Sequence, residues 1–298
     1  MVTASSVRAR LAHPVVLVLI GIVSAQVGAA FGKSIFDDVS PTAIVWMRLG
    51  FSAVILLLIA RPRVRGLGLH NWLVVLGLGA SLGVMNWAIY QSFARLPLGI
   101  AVTIEFIGPL SIALLSSRRL RDLVWVALAA VGVVLLGLEP GDITVVGVLF
   151  ALLAGACWAA TILLTKATGA RWEGFDGLAL ASTIAAVGLT PFAMMHAEGL
   201  GSPHVWLVGL MVGLLSSVIP YSLDLVALRS IKPSLYSILM SLEPAAAALA
   251  AIVIINEELT LPQWLAVACV VVASAGATRS AQRSPNVAAD TDPRASVV

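Results

Sequence analysis

Apolar stretches of eighteen or more residues recur along the whole chain, and no other feature restricts its folding so strongly. A hydrocarbon core of ~30 Å is crossed by about 20 residues of α-helix. Pro, Gly and charged residues punctuate the chain into ten such stretches, at approximately 14–35, 41–60, 71–94, 97–116, 122–138, 145–168, 175–196, 203–228, 233–254 and 261–278. The linkers, such as "ARLPLG" (94–99) and "RSIKPS" (229–234), are too short to hold a soluble domain. Only 11% of the 298 residues are charged, against about 25% in soluble domains, so a soluble fold would lack polar surface. The expected fold class is an all-α polytopic membrane protein with ten transmembrane helices, its partners being the lipid bilayer and a small molecule.

The net charge of +3 does not point to nucleic acid, because the Lys and Arg residues sit in short loops between spans. With the N-terminus cytoplasmic, the inner side receives Arg8, Arg10, Arg61, Arg63, Arg65 and the cluster Arg118, Arg119 and Arg121. It also receives Lys166, Arg171, Arg229, Lys232, Arg279, Arg283 and Arg294. The outer side receives only Lys33 and Arg95. This asymmetry places both termini in the cytoplasm. The N-terminal apolar run lacks a cleavage-site pattern and reads as a retained first helix. Residues 279–298, small and polar with two prolines, read as a disordered cytoplasmic tail. Cys157 and Cys269 each lie in an apolar run with no CxxC or Cys/His cluster, so free thiols are expected.

The two parts of the chain resemble each other. "GKSIF" closes the first span and "TKATG" the sixth, pairing Lys33 with Lys166. "RLPLGIAVTIEFIGPL" opens the fourth span and "SIKPSLYSILMSLEPA" the ninth, so that aligning Pro109 with Pro244 sets Gly108 against Glu243. "WVALAAVGVVLLG" (125–137) matches "WLAVACVVVASAG" (264–276). Five spans per half is an odd number, so the halves, 14–138 and 145–278, cross the membrane in opposite senses. Inverted repeats of this kind mark secondary transporters, whose substrate site lies near the midplane between the halves. The pairs Gly28/Gly32 and Gly79/Gly83 suit close helix packing and say nothing of function.

Four charged residues fall well inside spans: Arg48, Glu105, Asp224 and Glu243. A charge at the bilayer centre costs at least ~2.5 kcal/mol, which makes each a functional candidate, the alternative being a buried ion pair that fixes helix register. Arg48 and Glu105 lie about seven to eight residues from the outer ends of their spans, roughly 10–12 Å deep, so they either pair or face one space. An arginine fork holds a carboxylate and a carboxylate accepts an ammonium, so the two suit an amino acid. Burial and a nearby guanidinium act on the Glu105 proton in opposite senses, which leaves Glu105 and Glu243 as proton-coupling candidates. Tyr236, Met240 and Glu243 share one helical face. Pro109 and Pro244 each deprive the preceding turn of a hydrogen bond, and such broken helices line transport sites. Asp224 lies near the cytoplasmic end of its span with Arg229 as a local partner, which favours a gating or structural role. Asn86 and Tyr90 share a face of the third span, and Gln26 and Lys33 a face of the first. Interfacial anchoring suits Trp72, Trp125, Trp206 and Trp264, which lie near span ends.

Enzymatic chemistry finds no support. Glu257 and Glu258 sit in a loop without a catalytic partner, His13, His70, His196 and His204 fall near span ends, and no metal or nucleophile constellation is present. No phosphate-binding Walker sequence points to ATP, and no cofactor is implied.

The ten spans in two inverted halves, with a proline in the fourth helix of each, resemble the EamA-type drug/metabolite transporter family. Within it, "GAAFGKSIF", "MRLG", "MNWAIY", "PLGIAVTIEFIGPLSIALLSSRR", "VWV", "GACWA", "PYSL" and "MSLEPA" are similar to threonine/homoserine exporters of bacterial inner membranes. The string from Pro97 to Arg119 is the most specific. The resemblance implies efflux of small amino acids by alternating access, driven by the proton gradient. It carries Arg48, Asn86, Tyr90, Glu105, Tyr221 and Glu243 over as substrate-binding positions; the reading of the residues themselves gives Pro109, Pro244, Lys33, Lys166 and Asp224 structural or gating roles. Other members of such a family export aromatic amino acids, purines or cationic drugs, and the low aromatic content of 6% argues against a drug-binding site. Monomer and homodimer both stay open.

Overall fold

The computed structural model describes residues 13–62, 68–115, 123–137, 144–169, 172, 175–228, 230–231 and 233–282. The arginine cluster Arg118, Arg119 and Arg121, most of the expected tail, and Arg229 lie outside the described residues. Helices begin where proline or a hydroxyl residue permits it. Pro14 opens α1 (Pro14–Lys33), where its missing N–H costs nothing. Ser40 caps α2 (Pro41–Ala60), its Oγ accepting from Ala43 N at 3.2 Å. Then follow α3 (Leu69–Phe93), α4 (Leu98–Glu105), α5 (Ile107–Leu115), α6 (Leu123–Gly137), α7 (Val145–Gly169) and α8 (Asp176–Met195). The second part continues with α9 (Pro203–Gly213), a π-helical turn (Leu214–Val218), α10 (Ile219–Leu228), α11 (Pro233–Met240), α12 (Glu243–Ile255) and α13 (Leu261–Gln282).

Among the described residues, eight segments are long and apolar enough to cross a membrane, and two shorter apolar helices, Leu98–Ile112 and Leu123–Gly132, occupy the fourth and fifth expected places. The fourth, eighth and ninth stretches are not continuous α-helices. The fourth breaks at Phe106, the ninth at Ser241 and Leu242, and the eighth passes through the π turn. Each break has a proline as its cause. Proline lacks the N–H that would bond the carbonyl four residues earlier: Pro109 strands that of Glu105, Pro244 that of Met240, and Pro220 that of Ser216. Ser241 and Leu242 instead take tighter bonds, to Ile238 O and Leu239 O at 3.2 and 3.0 Å.

Helices of the first part pack mainly against helices of the second. α3 lies on α7 and α8, α2 on α8 and α9, α1 on α10 and α12, α4 on α12, and α6 on α13. The closest crossing brings Gly108 of α5 and Gly155 of α7 together: a Cβ on Gly108 would overlap the backbone of Gly155, and one on Gly155 the Glu105 carbonyl. The main core gathers around Ile44, Met47, Tyr90, Leu98, Ile100 and Ile104. The outward faces carry apolar side chains such as Val54, Leu58 and Val253, exposed in the way lipid contact requires.

Candidate functional site

Arg48 stands on α2, two-fifths of the way along, where an unpaired guanidinium among apolar side chains would be costly. The π turn supplies its partners. The Ser216 carbonyl, stranded by Pro220, accepts from Arg48 Nη2 at 2.9 Å, and Ser217 Oγ accepts from Nε at 3.2 Å. The turn is itself clamped to α1: Ser216 Oγ donates to Ala25 O at 2.9 Å, and Ser24 Oγ to Leu215 O at 2.8 Å. Gly28 makes this approach feasible, since a Cβ there would run into Ser216. The Arg48 guanidinium lies 5.7 Å from the centroid of the Tyr90 ring, within cation–π range.

Around Arg48 gather the other expected residues. Glu105 ends α4 and Glu243 opens α12, each 8% exposed; both lie within electrostatic reach of Arg48, and Glu243 within that of Glu105. Tyr221 on α10 lies within electrostatic reach of Arg48, Asp224 and Glu243. Gln26 on α1 lies within reach of the Glu243 carboxyl, where α1 packs on α12. Arg48 and Glu105, expected either to pair or to face one space, make no ion pair: among the described residues the single ion pair is Lys33–Glu257. Asn86, on the Tyr90 face one turn earlier, is 1% exposed and gives its amide to Leu82 O at 2.8 Å, within its own helix. Asp224 is held by Tyr236, whose hydroxyl donates to Oδ2 at 3.0 Å, while its expected partner Arg229 is not described.

Lys33 and Lys166, paired by the repeat, have different surroundings. Lys166 is exposed. Lys33 Nζ donates to Leu96 O and Glu257 Oε1, both at 2.7 Å, and Glu257 Oε2 accepts from Leu98 N at 2.7 Å. Glu257 therefore has a partner, against the expectation of a lone loop carboxylate. Asn256 makes this possible: its left-handed backbone, φ 51°, ends α12 and turns the chain so that Glu257 N bonds Ala251 O at 3.2 Å. The residues missed by sequence reasoning are thus Ser216, Ser217 and Glu257. Pro220, four residues after the first serine of a Ser-Ser pair inside an apolar span, was the available signal for the first two.

Among the described residues, no group of three or more His, Cys, Asp or Glu side chains is placed to hold a metal. Cys157 and Cys269 are free thiols. A separate cleft of about 360 Å³ opens between α2, α8 and α9, lined by Trp46, Phe51, Val54, Val187, Thr190 and Trp206, and is apolar.

The EamA-like transporter family matches residues 13–138 and 145–279. The chain is 38% identical over 278 residues to "Threonine/homoserine exporter RhtA" of Escherichia coli (strain K12), covering 92% of this chain and 94% of that protein. It is 37% identical over the same length and shares to "Threonine/homoserine exporter RhtA" of Salmonella typhimurium (strain LT2). A solved structure, described only as "Crystal structure of protein", is similar with a TM-score of 0.63 at 18% identity, over 90% of this chain and 98% of that one, which shows a shared fold.

Proposed function

Since this chain belongs to the EamA-like transporter family, a family of transporters and not of enzymes, we propose that it is a secondary exporter of small amino acids of the threonine and homoserine type. It would work by alternating access across a bacterial inner membrane, with both termini cytoplasmic. The observation that carries this reading is the cluster around Arg48. Charges of both signs, from both parts of the chain, converge in an apolar surrounding without forming an ion pair with each other. A zwitterion meets such a pair of charges with its own. The names of the relatives support the substrate class.

The ten-span inverted repeat belongs to this proposal, with halves at 14–138 and 145–278. Helix pairing supports it. Exchange of the halves maps the α2–α8 and α6–α13 packings onto themselves and the α3–α7 packing onto that of α1 with α10. In this scheme Arg48, Asn86, Tyr90, Glu105, Tyr221 and Glu243 bind substrate, and Glu105 and Glu243 exchange protons as the halves rock. Lys33 and Glu257 form an outer latch between the halves. The test is growth of cells with and without the protein in toxic concentrations of threonine, homoserine, aromatic amino acids, purines and cationic drugs. Resistance confined to threonine and homoserine is expected, and a broad drug phenotype would overturn the reading.

A further inference from the structure

Four side-chain polar atoms among the described residues are buried without a hydrogen-bond partner, and three of them belong to the cluster: Gln26 Oε1, Tyr90 OH and Glu243 Oε2. Folded proteins rarely keep such atoms, because each forfeits its full hydration, and a charged acceptor forfeits most. Their concentration in one place calls for a ligand with matching donors. Gln26 and Glu243 are 7% and 8% exposed and come from α1 and α12, one in each half. α1 packs directly on α12, and what Gln26 and Glu243 leave over is two buried acceptor oxygens, Gln26 Oε1 and Glu243 Oε2.

We infer that Gln26 and Glu243 form a subsite for a primary ammonium group, and that Gln26 is a substrate-contacting residue that sets selectivity for it. The inference rests on the amino-acid exporter reading. Two acceptors on different helices need a compact group with at least two N–H donors. An ammonium carries three on one atom, whereas a hydroxyl carries one. The nearby protein cation does not serve, because Arg48 spends Nε and Nη2 on Ser217 and Ser216. Nor is another in-span carboxylate equivalent. Asp224 already accepts from Tyr236, and among the described residues Glu105 contributes no buried oxygen left without a partner. The substrate is thereby oriented, its ammonium toward α1 and α12 and its carboxylate toward the remaining N–H groups of Arg48, above the Tyr90 ring.

The test uses the purified full-length protein in detergent and measures binding of L-threonine, L-threonine methyl ester and N-acetyl-L-threonine by competition with labelled threonine. Acetylation removes the charge and two of the donors, and is expected to weaken binding to the native protein by about tenfold to a hundredfold, the range of charge-assisted hydrogen bonds. In Gln26→Leu that penalty shrinks to under about threefold, while Gln26→Glu keeps it. A role confined to packing would weaken all three probes alike. The subsite is overturned if acetylation costs as much in Gln26→Leu as in the native protein, or if N-acetyl-L-threonine binds the native protein as well as L-threonine does. It is also overturned if sodium chloride, and not choline chloride, protects the native protein from thermal unfolding without amino acid, since the acceptors then hold a metal cation. Should Gln26→Leu fail to fold, the ligand series on the native protein decides alone. Failure of L-threonine itself to bind the native protein sinks the exporter reading, a result separable from normal threonine binding with no acetylation penalty.

Discussion

Replacing Glu257 by alanine should loosen the junction between the two parts of the chain by a predictable amount. Glu257 accepts from Lys33 Nζ and from Leu98 N, each at 2.7 Å, and the two charged side chains are only 16% and 21% exposed. Removing one partner of a buried pair costs about 3–5 kcal/mol, and the residual exposure here puts the expected loss near the lower end, about 3 kcal/mol. Lys33 keeps its bond to Leu96 O, so it is not wholly stranded. Glu257→Gln retains one acceptor and should lose about 1–2 kcal/mol. Combined with Lys33→Met, a double-mutant cycle should return a coupling of about 2 kcal/mol, measured by reversible unfolding in mixed micelles. Because the contact ties α1 and the start of α4 to the loop after α12, its loss should also favour whichever access state lacks it. A 3 kcal/mol bias shifts such an equilibrium by about a hundredfold. A coupling below about 0.5 kcal/mol would place the pair among ordinary exposed ones and refute the latch.

Four further outcomes follow from the geometry. Glu105→Gln should leave the protein folded but abolish substrate-coupled proton movement in reconstituted vesicles, and full coupled transport would remove Glu105 from that role. Gly108→Ala places a Cβ against the Gly155 backbone, which has no flexible end to yield, and should destabilise by about 1–3 kcal/mol. Gly50→Ala, with nothing within 4 Å, should change stability by less than about 0.5 kcal/mol in the same unfolding assay. Arg48→Lys offers one point charge where a fork holds both Ser216 O and Ser217 Oγ, so it should cost about 1–3 kcal/mol and most of the transport rate, measured as efflux from loaded vesicles.

The apolar runs were legible because hydrocarbon length leaves few alternatives, and the in-span charges were legible because each is expensive. Arg48, Glu105 and Glu243 therefore stood out before any geometry was known. What the sequence left hidden depends on contacts across long separations. Lys33 and Glu257 are 224 residues apart, and nothing local distinguishes Glu257 from its neighbour Glu258. The left-handed turn at Asn256, which selects Glu257 for Lys33, is written in the chain only as an asparagine after an apolar span. Gln26 was grouped with Lys33 by spacing, and the fold sets both against α12 and the loop after it, Gln26 toward Glu243 at its start and Lys33 on Glu257 past its end.

The three helix breaks explain why the charges are held where they are. An unbonded carbonyl in hydrocarbon is as unwelcome as a charge, so a proline inside a span is tolerable only where the protein itself answers it. At Pro220 the answer is visible: the stranded Ser216 carbonyl is the acceptor that holds Arg48. At Pro109 the stranded carbonyl belongs to Glu105 itself, and Gly155 lets α7 press against it. At Pro244 the break leaves Glu243 in the first turn of α12, where the N–H groups of a helix start favour a carboxylate. Each break thus offsets a cost that the neighbouring charge or carbonyl would otherwise impose, and each divides a span into pieces with different neighbours. α4 packs on α12 and α5 on α13, while α11 packs on α13 and α12 on α1. Pieces anchored separately can tilt separately, so a change of access on either side of the cluster would need no helix to bend where it is whole. Glu105 and Glu243 lie at joints of the fold and Arg48 is held by a third, so substitutions that straighten them, such as Pro109→Ala, should raise stability while slowing transport.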